Sequence, residues 1–157
     1  MHIWSVRSTT LKFTLVLTLS VIAVAALVIF VPSAADAAVA SGISYSGIET
    51  NADRIAFISQ FGWTVDEAPV EEVEVTVPKE FDAVYAEYNE IQIAQGLNLS
   101  KYRGKSVAKY KYAVKNYENY DGDVFITLLV YKNKIIGGDL CSADANGFVC
   151  GFSGEKT

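Results

Sequence analysis

The segment DVFITLLVY, residues 123–131, places the strongest constraint on the fold of this chain of 157 residues. A strand with one face in water alternates apolar and polar residues, whereas this segment has apolar residues at both its odd and its even positions. Such a strand lies in the interior of a sheet and is covered on both sides. The segment therefore predicts a central strand, and the rest of the chain must supply its neighbours and its cover.

Two helices and one strand are predicted before residue 106, where a run of consecutive strands that includes this segment begins. The first helix is expected to begin at Thr50 or Asn51, with Asp53 in its first turn and Gly62 after its end. Its apolar face consists of Ile55, Phe57, Ile58 and Phe61. The segment EEVEVTVP, residues 71–78, alternates as a half-buried strand that ends at Pro78. A second helix, within residues 79–96, carries an apolar stripe at i, i+3, i+4 spacing, made of Phe81, Val84, Tyr85, Tyr88 and Ile91.

Four strand segments complete the order: SVAKYKYAVKNY, DVFITLLVY, IIGGDLCS and FVCGF. Consecutive strands joined by short turns pair antiparallel. The sequence therefore predicts an α+β fold, in which helix-strand-helix is followed by a four-strand antiparallel meander. The same order occurs in cystatin-like folds, where a curved sheet wraps one helix, and this analogy carries no function with it.

An uncharged apolar run, FTLVLTLSVIAVAALVIFV at residues 13–31, has the length of a transmembrane helix. Arg7 and Lys12 precede it, so the positive-inside rule leaves the N-terminus in the cytoplasm. We expect a cytoplasmic tail at residues 1–12, a transmembrane anchor at 13–31, a linker at 32–49 and an extracellular α+β domain at 50–157. The alternative is secretion after signal cleavage at Ala35-x-Ala37 or Ala38-x-Ala40.

The charges argue against nucleic acid as a partner. Two of the 13 basic residues precede Pro32, so 11 follow it together with all 18 acidic residues, a net charge of −7. Most of this surface would repel a polyanion. The densest acidic group is interpreted as part of a solvated loop and an outer strand face, with a weak calcium site as the alternative. It consists of Asp66, Glu67, Glu71, Glu72 and Glu74.

A local basic stretch offers the best candidate for a binding surface. From Lys101 to Lys115 there are six basic residues and no acidic one. The residues Lys105, Lys109, Lys111 and Lys115 would line an outer strand face that meets an anionic envelope polymer, a lipid headgroup or an acidic protein patch. The alternative is an ordinary charged face that discourages edge pairing.

The sequence contains few residues in patterns that are typical of catalytic or metal sites. The single histidine, His2, precedes the anchor, which excludes a Ser-His-Asp triad and a His-ligated zinc site outside the membrane. No cofactor, no metal and no enzymatic activity are therefore expected. A carboxylate-based enzyme is the alternative, and it would require Asp139 and a second carboxylate to face each other in one partly buried pocket.

The segment IIGGDLCSADANGFVCGF, residues 135–152, contains both cysteines and a glycine pair. No helix is predicted after Gly137 and Gly138, so the pair marks a strand bulge or a close approach rather than a phosphate loop. With the turn centred near residues 145–146, Cys141 and Cys150 are expected opposite each other across a hairpin. A structural disulfide would fit this position outside the cell, and two buried thiols are the alternative.

Several runs resemble the bacterial (Firmicutes) family catalogued as domain of unknown function 4830. They are FGW at residues 61–63, VPKEFDAVYAEYNEIQIAQGLNLSKYRGKSVAKYKYAVKNY at 77–117 and LVYKNKIIGGD at 129–139, followed by NGF at 146–148. The resemblance covers about residues 51–152 and implies a small protein with an N-terminal membrane segment. The cysteines are not part of the pattern, and the family has no established activity, so no catalytic residue is implied.

Three functional hypotheses follow. The first is a non-enzymatic interaction or binding module, anchored in the membrane and exposed outside it. The second is a carboxylate-based enzyme, or enzyme subunit, that acts on the cell envelope. The third is a small-ligand carrier, which requires a large apolar pocket between Tyr85, Tyr88 and the sheet.

Overall fold

A computed structural model describes residues 42–118, 120–144 and 146–155, which form two helices and one antiparallel sheet. The helices are α1 (Asn51–Ser59) and α2 (Ala83–Ala94), and a 3₁₀ turn spans Leu99–Tyr102. The strands are β1 (Glu71–Thr76), β2 (Ser106–Val114), β3 (Val124–Tyr131), β4 (Lys134–Ser142) and β5 (Val149–Cys150). The expected anchor at residues 13–31 lies outside the described residues, within which no helix has the length and apolar character of a membrane span.

The sheet is a five-stranded meander with the order β1-β2-β3-β4-β5. This confirms the α+β class and the four consecutive antiparallel strands, to which β1 adds an edge strand next to β2. The strand β3 is central, and its residues are buried at both parities: Ile126 and Leu128 on one face, Thr127 and Leu129 on the other. Lys132 and Asn133 join it to β4 with positive φ angles, as a two-residue type I′ turn requires.

The two helices lie on opposite faces of the sheet, which corrects the expectation of a sheet wrapped around one helix. Phe57 and Ile58 of α1 belong to a core that contains Ile126 and Leu128. Tyr85 and Tyr88 of α2 pack against a separate core on the other face, formed by Val77, Leu99, Val107, Leu129 and Ile136. A strand that is apolar at both parities requires cover of this kind on each side.

The predicted apolar stripe of α2 is only partly correct. Val84 is 75% exposed, whereas the buried residues of the helix are Asn89 and Gln92. The Gln92 side-chain carbonyl accepts a 2.9 Å hydrogen bond from the Gly138 amide of β4. The Asn89 side chain similarly accepts from the Leu99 amide at 2.8 Å. The helix is rotated to place polar side chains on backbone donors, because a buried amide left without a partner is costly.

The glycine pair of β4 lies at a close approach of packed layers, as predicted. Gly138 has a φ of 153°, and a Cβ there would lie 2.1 Å from the Thr127 carbonyl oxygen. A Cβ on Gly137 would lie 2.8 Å from a Leu99 methyl group. The ladder between β3 and β4 shifts register next to this pair, between Leu129 and Val130.

The expected disulfide is wrong because the hairpin register differs by one residue. Leu140 lies opposite Cys150, and Cys141 lies opposite Val149. Since successive residues of a strand point to opposite faces, the two side chains are on different sides of the sheet. Cys150 belongs to the α1-side core and Cys141 faces the α2 side, and both carry thiols.

The expected linker at residues 32–49 ends earlier than predicted. Tyr45 accepts a backbone hydrogen bond from Ile135, Ser46 bridges Lys134, and Ile48 is buried in the α1-side core. These residues extend the edge of β4 and belong to the folded domain. The linker up to residue 41 lies outside the described ranges.

Candidate binding cleft

Two rows of paired residues cross the α2 side of the sheet, and their members on β2 and β3, together with Asp139 of β4, form the floor of a cleft. The first row is Glu71, Lys111, Thr127 and Asp139, which are directly opposite one another on β1 to β4. The second row is Val73, Lys109, Leu129 and Gly137. The alternation of strand residues thus brings polar groups of four strands into one line, beside a row in which Lys109 is the polar member.

The helix α2 supplies the wall of the cleft through two tyrosines. Asp82 caps this helix by accepting a 2.7 Å hydrogen bond from the Tyr85 amide, which fixes the first turn. Tyr85 and Tyr88 lie one turn apart with their ring centroids separated by 5.9 Å. The Tyr88 hydroxyl donates a 2.7 Å hydrogen bond to Asp139 on the floor. This bond ties the helix to β4 across the cleft.

The cleft has a volume of about 370 Å³. This lies within the range of about 300–1,000 Å³ that small-molecule sites occupy. Its lining is mostly apolar and aromatic, with a few convergent polar groups: Val75, Thr76, Val77, Pro78, Tyr85, Tyr88, Val107, Lys109, Lys111, Thr127, Leu129, Asp139 and Cys141. The pocket between Tyr85, Tyr88 and the sheet that a ligand carrier requires is therefore present.

The four predicted lysines do not form one surface. Lys109 and Lys111 line the cleft, so their face of β2 is the one that α2 partly covers and not an outer face. Lys105 precedes β2 and Lys115 follows it, and both are exposed and lie away from the cleft lining. The expectation of an outer face fails because both faces of β2 carry a helical layer.

The two lysines of the cleft have different partners. The Lys109 ammonium forms a salt bridge with Glu71, with an N–O distance of 3.0 Å. The Lys111 ammonium lies 4.3 Å from the centroid of the Phe125 ring. An aromatic face attracts a cation without neutralising its charge. Lys111 therefore brings a positive charge into the cleft, whereas the charge of Lys109 is balanced by Glu71.

Asp139 is held in an unusual environment for a carboxyl group. It is 7% exposed, and this burial raises its pKa, although hydrogen bonds from Tyr88 and Cys141 and the charges of Lys111 and Lys109 oppose the shift. Burial and the neighbouring Asp139 in turn raise the pKa of Tyr88 well above its usual value. Burial, followed by the proximity of Asp139, raises the pKa of the Cys141 thiol to about 12. These three groups are thus biased toward their neutral forms.

The lining residues contain one carboxylate, Asp139, and Glu71 reaches only the edge of the cleft through Lys109. In the part of the chain that the structure describes, no three histidine, cysteine or carboxylate side chains are grouped to hold a metal ion. The cleft thus offers one cation, one buried acid and aromatic walls. These groups suit the binding of an anion attached to an apolar body.

Sequence reasoning found the parts of this cleft but not their combination. The sequence predicts Tyr85 and Tyr88 as core residues or, for a ligand carrier, as walls of a pocket. It predicts Lys111 on an outer strand face, and Asp139 as half of a carboxylate pair only in the alternative of an enzyme. Only the register between β2, β3 and β4 shows that Lys111, Thr127 and Asp139 form one line. The alternation within each strand predicts which residues share a face of the sheet. The register between neighbouring strands, which brings these residues into one row, could not be predicted from the sequence.

Comparison with known proteins gives one family. The family model described as "Domain of unknown function (DUF4830)" matches residues 57–140, slightly more than half of the chain. The match extends from α1 to β4 and includes Tyr88, Lys111 and Asp139. Searches against curated proteins and against solved structures found no match to the chain.

Proposed function

The chain belongs to the family of domain of unknown function 4830, and we propose that it is a membrane-anchored, extracytoplasmic binding module. In this proposal its cleft holds a small anion that carries an apolar body, and it catalyses no reaction. The proposal combines the binding-module and ligand-carrier hypotheses, since the cleft is a concave site between a helix and a sheet.

One observation carries the proposal: the charge of Lys111 and the apolar walls share a cleft of about 370 Å³. The ammonium of Lys111 rests on an aromatic ring and has Thr127 directly opposite it, while Asp139, the acid on which its charge acts, is biased by burial toward its neutral form. An anionic group would complete this site, while Tyr85, Val107 and Leu129 would contact the apolar body of the ligand. An ion pair at a half-covered site of this kind is stronger than one in open solvent.

The chemistry of the cleft supports binding rather than catalysis. A cysteine acts as a nucleophile in its thiolate form, and the pKa of Cys141 is raised to about 12. Asp139 is engaged by Tyr88 and has no second carboxylate beside it among the lining residues. A paired acid and base, which hydrolysis of a glycoside uses, is therefore not assembled in the cleft.

Anchoring and location are supported by the apolar run at residues 13–31 and by the basic residues before it. Protease added to intact cells that produce the full chain should remove residues 32–157 and leave an N-terminal tag protected. A shortened chain in the medium would instead support signal cleavage. Protection of the whole chain in intact cells would contradict the external location.

Binding is tested with two probes of one shape, naphthalene-2-carboxylate and its neutral carboxamide. The full chain is placed in nanodiscs of neutral lipid, with empty nanodiscs as the reference for partitioning of the probe. We expect the carboxylate to bind, and the change Lys111→Met to weaken its binding by about 10-fold or more, since bonds to charged groups contribute ~1.5–3 kcal/mol. Binding of the carboxamide should change by less than about 2-fold.

The matched control is Lys105→Met, which removes the same charge from an exposed position outside the cleft. It should leave the affinity for the carboxylate unchanged. Equal losses for the two variants would show a general charge effect and contradict a role for Lys111. Absence of binding by both probes at millimolar concentration would contradict the cleft as a site for this class of ligand.

A further inference from the structure

Within the described residues the strand β1 forms an edge of the sheet, because β2 is the one strand paired with it there. The amide of Val77 donates to the Lys105 carbonyl, which sets the alternation of hydrogen-bonded pairs between these strands. By this alternation Val73 and Val75 bond to β2, while Glu72, Glu74 and Thr76 direct their backbone groups away from the sheet. The outer edge of β1 thus offers a row of backbone donors and acceptors.

The side chains of β1 differ sharply between the two faces. Glu72 and Glu74 are exposed on the α1 side. They border a groove of about 470 Å³ whose other lining residues include Ala108, Tyr110 and Lys132. On the α2 side Val73 is 41% exposed, and Val75 is partly buried against the second core. A strand added to this edge would therefore meet acidic side chains on one face and aliphatic side chains on the other.

We propose that the edge of β1 binds an extended peptide segment of another protein in which basic and aliphatic residues alternate. The peptide adds a sixth strand, and its backbone pairs with Glu72, Glu74 and Thr76. Its basic side chains lie beside Glu72 and Glu74, and the groove along β1, β2 and β3 accommodates their length. Its aliphatic side chains cover the exposed surface of Val73.

Charge selects this occupant over a second copy of the chain. Two β1 edges related by a two-fold axis perpendicular to the sheet would place glutamates beside glutamates, and like charges on paired strands are destabilising. The net charge of −7 after Pro32 also favours the approach of a basic segment. Glu74 accepts a hydrogen bond from the Ser106 hydroxyl through one of its two oxygens.

The test uses a fluorescent peptide of four Lys-Val repeats, with a Glu-Val peptide of equal length as the reference. Anisotropy is measured with the full chain in nanodiscs of neutral lipid at ~0.15 M salt. The Lys-Val peptide should bind, and the double change Glu72→Gln, Glu74→Gln should weaken it about 5-fold, the effect of two exposed ion pairs. The double change Glu80→Gln, Glu87→Gln, at exposed positions outside β1 and its groove, serves as the matched control.

A modified peptide tests the strand geometry without altering the protein. N-methylation of every second residue on the pairing edge should abolish binding, because it removes the donors that face β1, whereas methylation on the opposite edge should not. Equal binding of both methylated peptides would overturn an added strand and leave only charge attraction. Equal binding of the Glu-Val peptide, absence of binding by the Lys-Val peptide, or dimerisation of the chain through β1 would each overturn the proposal.

Discussion

Gly138 has a backbone that is closely constrained by the central strand and by a buried aromatic ring. Its φ of 153° is rare for residues with a side chain, and a Cβ would lie 2.1 Å from the Thr127 carbonyl oxygen and 2.6 Å from the Phe152 ring. Since Thr127 lies in the central strand β3 and Phe152 is fully buried in the α1-side core, neither can move away alone. We expect Gly138→Ala to lower the free energy of unfolding by about 3 kcal/mol or more.

The control for this change is Gly96→Ala. Gly96 has a φ of 81° after α2, and nothing lies within 4 Å of the position of its Cβ. Its replacement should cost about 1 kcal/mol, which is the backbone contribution alone. Urea unfolding followed by Trp63 fluorescence, in a Trp4→Phe background, measures both changes. Equal costs for the two glycines would contradict the close approach at Gly138.

Asp139 makes the stability of the folded chain depend on pH, and the direction of its pKa shift sets the sign of this dependence. Burial raises its pKa in the folded state, so the folded chain retains this proton to a higher pH than the unfolded chain does. Its contribution to stability is complete below the unfolded pKa of about 3.9 and is lost as the pH rises through the folded pKa. The stability of the wild type relative to Asp139→Asn should therefore fall as the pH is raised from about 4.

Unfolding of both proteins between pH 4 and pH 8 measures this difference, with the exposed Asp121→Asn as the control for loss of one charge. The asparagine variant keeps an oxygen that accepts from the Tyr88 hydroxyl and does not ionise in this range of pH. A difference that stays constant or grows with pH would contradict the burial of an acid with a raised pKa.

At the scale of the element, the C-terminal half of α2 stabilises the edge of β4 through amide side chains. Gln92 accepts from the Gly138 amide at 2.9 Å, and Gln95 donates to the Gly138 carbonyl at 2.9 Å and accepts from the Phe152 amide at 2.9 Å. These bonds satisfy backbone groups beside the β-bulge, where the ladder alone does not. The helix is therefore fixed by polar contacts as well as by its tyrosines.

The change Gln92→Met keeps the size of this buried side chain and removes its acceptor. We expect it to destabilise the fold by about 1–3 kcal/mol, because the Gly138 amide is left buried without this partner. The control on the same helix, Ile93→Met, alters a residue that is 45% exposed and should change stability by less than about 0.5 kcal/mol. Hydrogen exchange of the Gly138 amide should accelerate in the first variant only. Unchanged exchange would show that Gln92 is not the partner that protects it.

The elements show which features a sequence alone determines. The start of α1 was predicted because Thr50 and Asp53 form a local capping box, in which both bonds join residues three positions apart. The rotation of α2 was not predicted, because Gln92 is buried where it accepts a hydrogen bond from the Gly138 amide, and Gly138 lies 46 positions later in the chain. The disulfide was misplaced for a related reason: a one-residue difference in hairpin register moves a side chain to the other face.

At the scale of the whole molecule, the two faces of the sheet are specialised. The α1 side is closed by aromatic contacts, with Phe57 and Phe152 at 5.2 Å and nearly perpendicular. The α2 side carries a smaller core and leaves the cleft open between the helix and β1 to β4. One face thus carries the larger core and the other an open cleft, whereas the apolar pattern of β3 predicts only that both faces are covered.

The most direct test of this account locates the ligand in the cleft. The full chain, with methyl groups of valine and leucine labelled, is placed in nanodiscs with naphthalene-2-carboxylate, and intermolecular nuclear Overhauser effects are recorded. We predict contacts from the naphthalene protons to the methyl groups of Val75, Val107 and Leu129, which are lost in the Lys111→Met variant. Contacts confined to valine or leucine methyl groups outside the cleft, such as those of Val84, would contradict the assignment of this cleft as the binding site.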